Sequence, residues 1–266
     1  MQSDFFMKRQ TNYEEIQNKK LKEFYVVLQV VSTEMMLGEK TILEASKIYM
    51  IYGIDILGYR TIIGLYIEDK EDNRFWLKEV EKIKSRGLKK FIFLSVEENN
   101  KRLEQAMKIV YNPQIEESIN EKVRKIAQYT QKKWASAGEQ EIIKAYLSET
   151  KQEYEEKMKI IEEKYSQNHI GSILLKQLRQ QMDKDIEKPV ILRHMINSYA
   201  TKRKLINWLK MAEREYEEIK DIEDLVEKKK EKFTTFERMR PYSKEKWQAI
   251  LNELSAIHYE EMKEYI

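Results

Sequence analysis

Few residues in this chain have the type and spacing to do chemistry on their own. His169 stands alone and reads as a loop or cap residue. His194 has no second histidine or aspartate at ligand spacing and reads as a helix-surface or partly buried side chain. His258 falls on an apolar stripe and reads as packing. There is no cysteine, so a thiolate nucleophile, a disulfide and a thiolate metal site are all excluded. No glycine-rich phosphate loop and no Ser/His/Asp spacing stands out, and no cofactor or metal is expected. What remains is charge interleaved with aromatic rings. Tyr199 to Lys210, Lys228 to Lys232 and Arg238-Met239-Arg240 could grip a phosphate backbone, with Lys202, Arg203, Lys204, Trp208 and Lys210 as the contacts. The plainer reading makes the same residues solvated helix faces balanced by neighbouring glutamates, and both readings stand.

The elements that must position such residues can be read from periodicity. Ile48 to Ile54 and Thr61 to Ile67 are apolar, β-branched runs joined by Asp55-Ile56-Leu57-Gly58-Tyr59-Arg60. Gly58 can take the positive φ of a tight connection, so the pair predicts a β-hairpin. Phe75, Trp76, Leu77, Val80 and Ile83 then recur at helical spacing up to Gly87, a C′ residue. Phe24 to Val31 predicts a central first strand, with Glu34 to Thr41 as the turn after it. Lys89 to Val96 predicts a fourth strand, parallel to the first through the preceding helix. Asn99 to Val110 is amphipathic, Pro113 breaks the chain, and Gln114 to Glu117 is too charged for a central strand. Val123, Ile126 and Ala127 resume helical spacing through Trp134. From Gly138 onward the text is helical, with Thr150 and Glu153 resembling a capping box and Ser166 or Asn168 starting another helix. Glu213 to Lys232 reads as a charged, largely solvated helix. The last helix repeats Trp247, Ile250, Leu251, Leu254, Ile257 and His258 on a stripe that must be buried.

Composition sets the frame. The 266 residues are 41% apolar and 36% charged with 7 glycines and 3 prolines, the profile of a helix-rich protein. Charge is even: residues 1–100 carry 16 bases and 16 acids, 101–188 carry 17 and 15, and 189–266 carry 16 and 15. A dedicated DNA-binding domain usually shows a basic excess in one segment, and none appears. Charges interrupt every apolar run of the N-terminus, so neither a secretion signal nor a membrane span is expected, and a reducing cytoplasm fits.

Gly53-Ile-Asp-Ile-Leu-Gly-Tyr-Arg-Thr-Ile-Ile-Gly-Leu-Tyr-Ile67, then Phe75-Trp76 and Lys84-Ser85-Arg86-Gly87-Leu88, resembles the catalytic core of mutator-type insertion-sequence transposases. The resemblance runs from about Phe24 towards the C-terminus. It implies an RNase H-like α/β fold, a mixed sheet of three antiparallel strands followed by a parallel one. It also implies two metal ions held by an Asp-Asp-Glu triad that cuts and joins DNA.

Position by position, the triad is not kept. Gln29 stands where the family has its first Asp, Glu98 (or Glu97) where it has the second, and Arg203 where it has the third carboxylate. The family's Cys-x-x-His pair is replaced within Ser118-Ile119-Asn120-Glu121, and Leu175 and Arg179 stand near its expected tryptophans. An amide is a poor ligand for a hard cation, and an arginine would repel one. Two-metal phosphoryl transfer needs several converging carboxylates, so no catalytic set is expected. The resemblance also implies a DNA-binding region ahead of the core, for which residues 1–22 are too few. The expected layout is a polar segment 1–22, a core 23–137, a helical insertion 138–188 and C-terminal helices 189–266 completing the core. The leading reading is a catalytically inactive, truncated transposase-like protein reused to bind DNA or as a subunit of a nucleoprotein assembly. The alternatives are a protein–protein or homo-oligomeric subunit without nucleic-acid contact, and an active transposase with relocated carboxylates. Arg203 is expected within salt-bridge reach of Glu97 or Glu98, near Gln29.

Overall fold

The computed structural model of the chain describes residues 13–39, 42–69, 71–96, 100–129, 135–197, 199–216 and 219–266. The chain forms two compact units, one of residues 1–116 with 199–266 and one of residues 117–198.

The first unit is built on a five-stranded mixed sheet of order β3-β2-β1-β4-β5. β1 (Phe24–Glu39) pairs antiparallel with β2 (Ile42–Ile54), β2 antiparallel with β3 (Arg60–Ile67), and β1 parallel with β4 (Lys90–Val96). β5 (Gln114–Glu117) lies at the edge, where its charged side chains are tolerated. Between β3 and β4 runs α2 (Phe75–Ser85), ended by Gly87 at φ 111, and α3 (Lys101–Tyr111) follows β4. The Asn100 side chain caps α3 by accepting from the Leu103 N–H at 3.1 Å.

The expected turn at Glu34 to Thr41 is corrected: β1 continues to Glu39, in register from Glu34 opposite Lys47 to Glu39 opposite Ile42. The cause is a period-2 pattern that outweighs the glycine, since Met35 and Leu37 are buried while Glu34 and Met36 are exposed. Lys40 and Thr41 lie outside the described residues.

Both faces of the sheet are covered. Leu28, Val30, Tyr49, Ile51, Leu94 and Val96 share a core with Trp76, Val80 and Ile83 of α2 and with Leu103, Ala106 and Met107 of α3. The opposite face receives the C-terminal helices α9 (Tyr199–Glu215), α10 (Ile222–Arg238), α11 (Lys244–Ile257) and α12 (Tyr259–Met262). Tyr52 meets Phe236 edge-on at 5.3 Å, and Phe93 meets His258 at 5.1 Å, so His258 does pack. α1 (Tyr13–Asn18) lies against β3, where Gln17 donates to the Leu65 carbonyl at 2.6 Å.

Two further expectations are corrected. Glu213 to Lys232 is not one solvated helix. α9 ends at Glu215, and α10 buries Ile222, Leu225, Val226, Lys229, Phe233 and Phe236, an apolar stripe hidden among charges. In α11, Trp247, Ile250, Leu251 and Leu254 are buried, but Ile257 is 56% exposed, because the helix ends there and the stripe turns away with it.

The second unit is helical, with α4 (Asn120–Ala127), α5 (Ala135–Tyr146), α6 (Lys151–Tyr165), α7 (His169–Asp185) and α8 (Val190–Ile196). Thr150 caps α6 by accepting from the Glu153 N–H at 3.2 Å, and Asn168 caps α7 through the Gly171 N–H at 2.7 Å. His169 is the exposed first residue of that helix. The core combines Val123, Ile142, Tyr146, Met158, Leu175 and Met182. Buried Arg193 donates to the carbonyls of Tyr146, Ser148 (3.0 Å) and Lys188 (3.2 Å). The 130–134 part of the helix expected through Trp134 lies outside the described residues. Among the described residues no helix is long and apolar enough to cross a membrane.

Candidate functional site

Gln29 lies in the middle of the central strand, 3% exposed, with Tyr52 of β2 on one side and Ser95 of β4 on the other. Its position on β1 places it on the face covered by the C-terminal helices, because side chains alternate along a strand. The Tyr52 hydroxyl donates to the Gln29 side-chain oxygen. That bond is of the kind a buried amide needs, since an unpaired polar atom there would cost free energy.

From Tyr52 the contacts run on into the helices. Phe236 of α10 takes the Tyr52 edge on one side, and Trp208 of α9 meets it at 5.9 Å with an interplanar angle of 84°. The Arg60 guanidinium lies 4.1 Å over the same Phe236 ring, and its Nε donates to the Met239 carbonyl at 3.0 Å. Arg60 is 2% exposed, and burial pushes its pKa down to about 10, partly offset by Tyr52. The relay Gln29–Tyr52–Phe236–Trp208 therefore joins the centre of β1 to α9.

The remaining candidate positions are less gathered. Arg203, Lys204 and Lys210 are exposed on α9, and Trp208 is half-buried against Phe236. Lys204 and Trp208, one helical turn apart, share a face. The Lys202 side chain lies outside the described residues, as do Glu97 and Glu98, so the expected pairing of Arg203 with them does too; β4 ends at Val96.

Three of the four bases in the run 228–232 are engaged by acids of the first unit. Lys228 pairs with Asp224 at 2.8 Å, buried Lys229 with Glu215, and Lys230 with Glu227 at 2.8 Å. In the helical unit, Ser118 donates to Asn197 at 3.2 Å and Glu121 pairs with Arg124 at 2.5 Å. Leu175 is buried, and Arg179 binds Glu155 and Glu162. His194 is half-buried on α8.

Gln29 and Arg203, the two candidate positions among the described residues, supply no carboxylate to a divalent ion. Gln29 offers one neutral oxygen already engaged by a hydroxyl, and Arg203 brings positive charge. Among the described residues no group of three His, Asp or Glu side chains could hold a cation.

Sequence reasoning missed Tyr52 and Arg60. Both sit at the inward positions of their strands facing α10, and a polar or charged side chain in an otherwise apolar run was the available signal.

No curated protein matches the chain. The family model for mutator-family transposases matches residues 3–205, which carry the sheet, the helical unit and the start of α9. On that match, three-quarters of its length, the chain belongs to the mutator family of transposases.

Proposed function

We propose that this chain is a catalytically silent transposase relative with an RNase H-like core that holds nucleic acid through its phosphates. The observation that carries the reading is Gln29. At the first metal-ligand position of the family the chain has a buried amide bonded to the Tyr52 hydroxyl, and a cation there would meet one neutral oxygen instead of a carboxylate. Supporting it, the strand order β3-β2-β1-β4-β5, with β1 and β4 parallel and adjacent, suits an RNase H-like sheet. DNA is the ligand class of the family, and the exposed bases of α9 supply contacts indifferent to sequence.

The test incubates the purified protein with a labelled DNA duplex in Mg²⁺ or Mn²⁺. Retention that weakens steeply with salt, with no nicked or joined product, is the expected result. Metal-dependent nicking that Glu98→Ala abolishes would overturn the silence. A tight, sequence-selective footprint at physiological salt would overturn the phosphate mode.

A further inference from the structure

The strongest unassigned feature of the first unit is the junction of the β2–β3 turn with the link between α10 and α11. The turn is tied from within. Asp55, 1% exposed, accepts from the Leu57 and Tyr59 N–H groups, each at 2.9 Å, and from Lys22. It is tied from below by Trp247 of α11, whose Nε1 donates to the Ile56 carbonyl at 2.9 Å. The Trp247 ring sits so close to Gly58 that an added Cβ would lie 2.6 Å from it.

On this base Tyr59-Arg60 holds Met239-Arg240. Arg60 binds the Met239 carbonyl, and the Arg240 guanidinium lies 4.3 Å over the Tyr59 ring. Tyr242 stacks on Trp247 at 8°, and the Lys246 ammonium stands 5.3 Å from the Tyr242 ring centre. Two bases are thus preset on aromatic faces, which lowers the ordering entropy a ligand must supply.

The charges of this junction are unspent. Arg238, Arg240, Lys244 and Lys246 make no ion pair among the described residues, and Arg240 Nε is buried without an acceptor. The only acid between residues 238 and 246 is Glu245. The contrast is the 228–232 run, where Lys228, Lys229 and Lys230 are each neutralised. Beside these bases Leu57 is 54% and Tyr59 38% exposed, an apolar shelf next to fixed cations. α9 and α10 run antiparallel, with Trp208 on Phe236 and Glu215 on Lys229, so the first turns of α9 lie alongside the end of α10 that leads into the junction.

We infer that this junction is a second contact surface for a nucleic-acid backbone, with Arg240 and Lys246 on phosphates and the Tyr59-Leu57 shelf against sugar or base. A phosphodiester chain fits the features better than an acidic peptide, because unpaired cations stand beside the exposed Tyr59 ring and the half-buried Tyr242 ring, and the contact carries no built specificity. The inference rests on the nucleic-acid reading of the proposed function and names a surface for it.

The test measures binding of the full chain to a labelled duplex and to single strands of DNA and RNA across a salt series. It compares wild type with Arg240→Gln/Lys246→Gln and with a charge-matched control on exposed residues of the helical unit, Lys159→Gln/Lys176→Gln. The expected result is weaker binding by the junction variant alone, with the log–log salt slope on duplex shallower by about 1.8, roughly 0.9 for each lost contact. Tyr59→Ala should weaken single strands more than duplex. A junction variant that binds like the control, with wild-type binding intact, overturns this surface and leaves the general reading standing. Wild type that binds none of the three polymers even at low salt overturns both. Matching far-UV spectra and melting temperatures of the two double variants show that the loss is not unfolding.

Discussion

Tyr52 and Gln29 stand opposite each other across the antiparallel β1–β2 ladder, and the Tyr52 hydroxyl donates to the Gln29 amide oxygen. The pair makes this part of the sheet centre neutral and hydrogen-bonded. Removing this donor with Tyr52→Phe should cost about 1 kcal/mol, the net contribution of one intramolecular hydrogen bond. Urea denaturation followed by far-UV circular dichroism checks this, and an unchanged midpoint would show that the bond is dispensable.

Introducing a carboxylate with Gln29→Asp should not create a metal site. Burial raises the pKa of a carboxyl group introduced there above its unfolded value of about 4. The folded state then favours the protonated form. The associated stability is present below about pH 4 and lost as pH rises through the raised value. The melting temperature of the variant relative to wild type should therefore fall from acid to neutral pH, with no rescue by Mg²⁺. Selective stabilisation by Mg²⁺ would show that the position still accepts a cation.

Gly58→Ala should destabilise the β2–β3 turn. Gly58 holds φ at +78°, and a Cβ would stand 2.6 Å from the Trp247 ring. A cost of about 1–3 kcal/mol is expected from the backbone conformation and the displaced ring. Trp247 donates to Ile56, so its displacement should also shift the tryptophan emission. Emission and unfolding midpoint both equal to wild type would refute the close packing.

Arg193 holds three carbonyls of the helical unit with one buried guanidinium. Arg193→Leu leaves those carbonyls without their donor, and a loss of roughly 3 kcal/mol or more is expected, read as a lower melting temperature. Hydrogen exchange should quicken across α5 and α8 first. A variant as stable as wild type would show that the carbonyls find other donors.

Alkaline titration should report the buried tyrosines. Burial raises the pKa of Tyr66, Tyr146 and Tyr154, with Asp185 adding to the effect at Tyr146 and Asp183 at Tyr154. A folded pKa above the unfolded value of about 10 gives stability that is complete below pH 10 and lost as pH rises beyond it. Tyrosinate absorbance from these rings should therefore appear with loss of the near-UV signal, in one cooperative step. Smooth ionisation of every tyrosine in an intact fold would contradict their burial.

Much of this protein was written locally in its sequence. The hairpin around Gly58, the helix from Phe75 ended by Gly87, the strand character of β4, and the caps at Thr150 and Asn168 each follow from residues within a few positions of one another. Backbone preference, side-chain period and capping act over that range, and the family resemblance was legible in the same hairpin and helix. Long-range partners were not. The extension of β1 to Glu39 depends on pairing with β2, and the burial of α10 depends on Phe236 reaching Tyr52 across 184 positions of chain, a contact at 5.3 Å. The neutral lock on Gln29, the caging of Arg60 and the spending of Lys228 to Lys230 on nearby acids were likewise decided by the fold. The reason is physical: a residue's type fixes which bonds and charges it offers, but only the packed sheet and helices set which group stands within 3 Å to accept them.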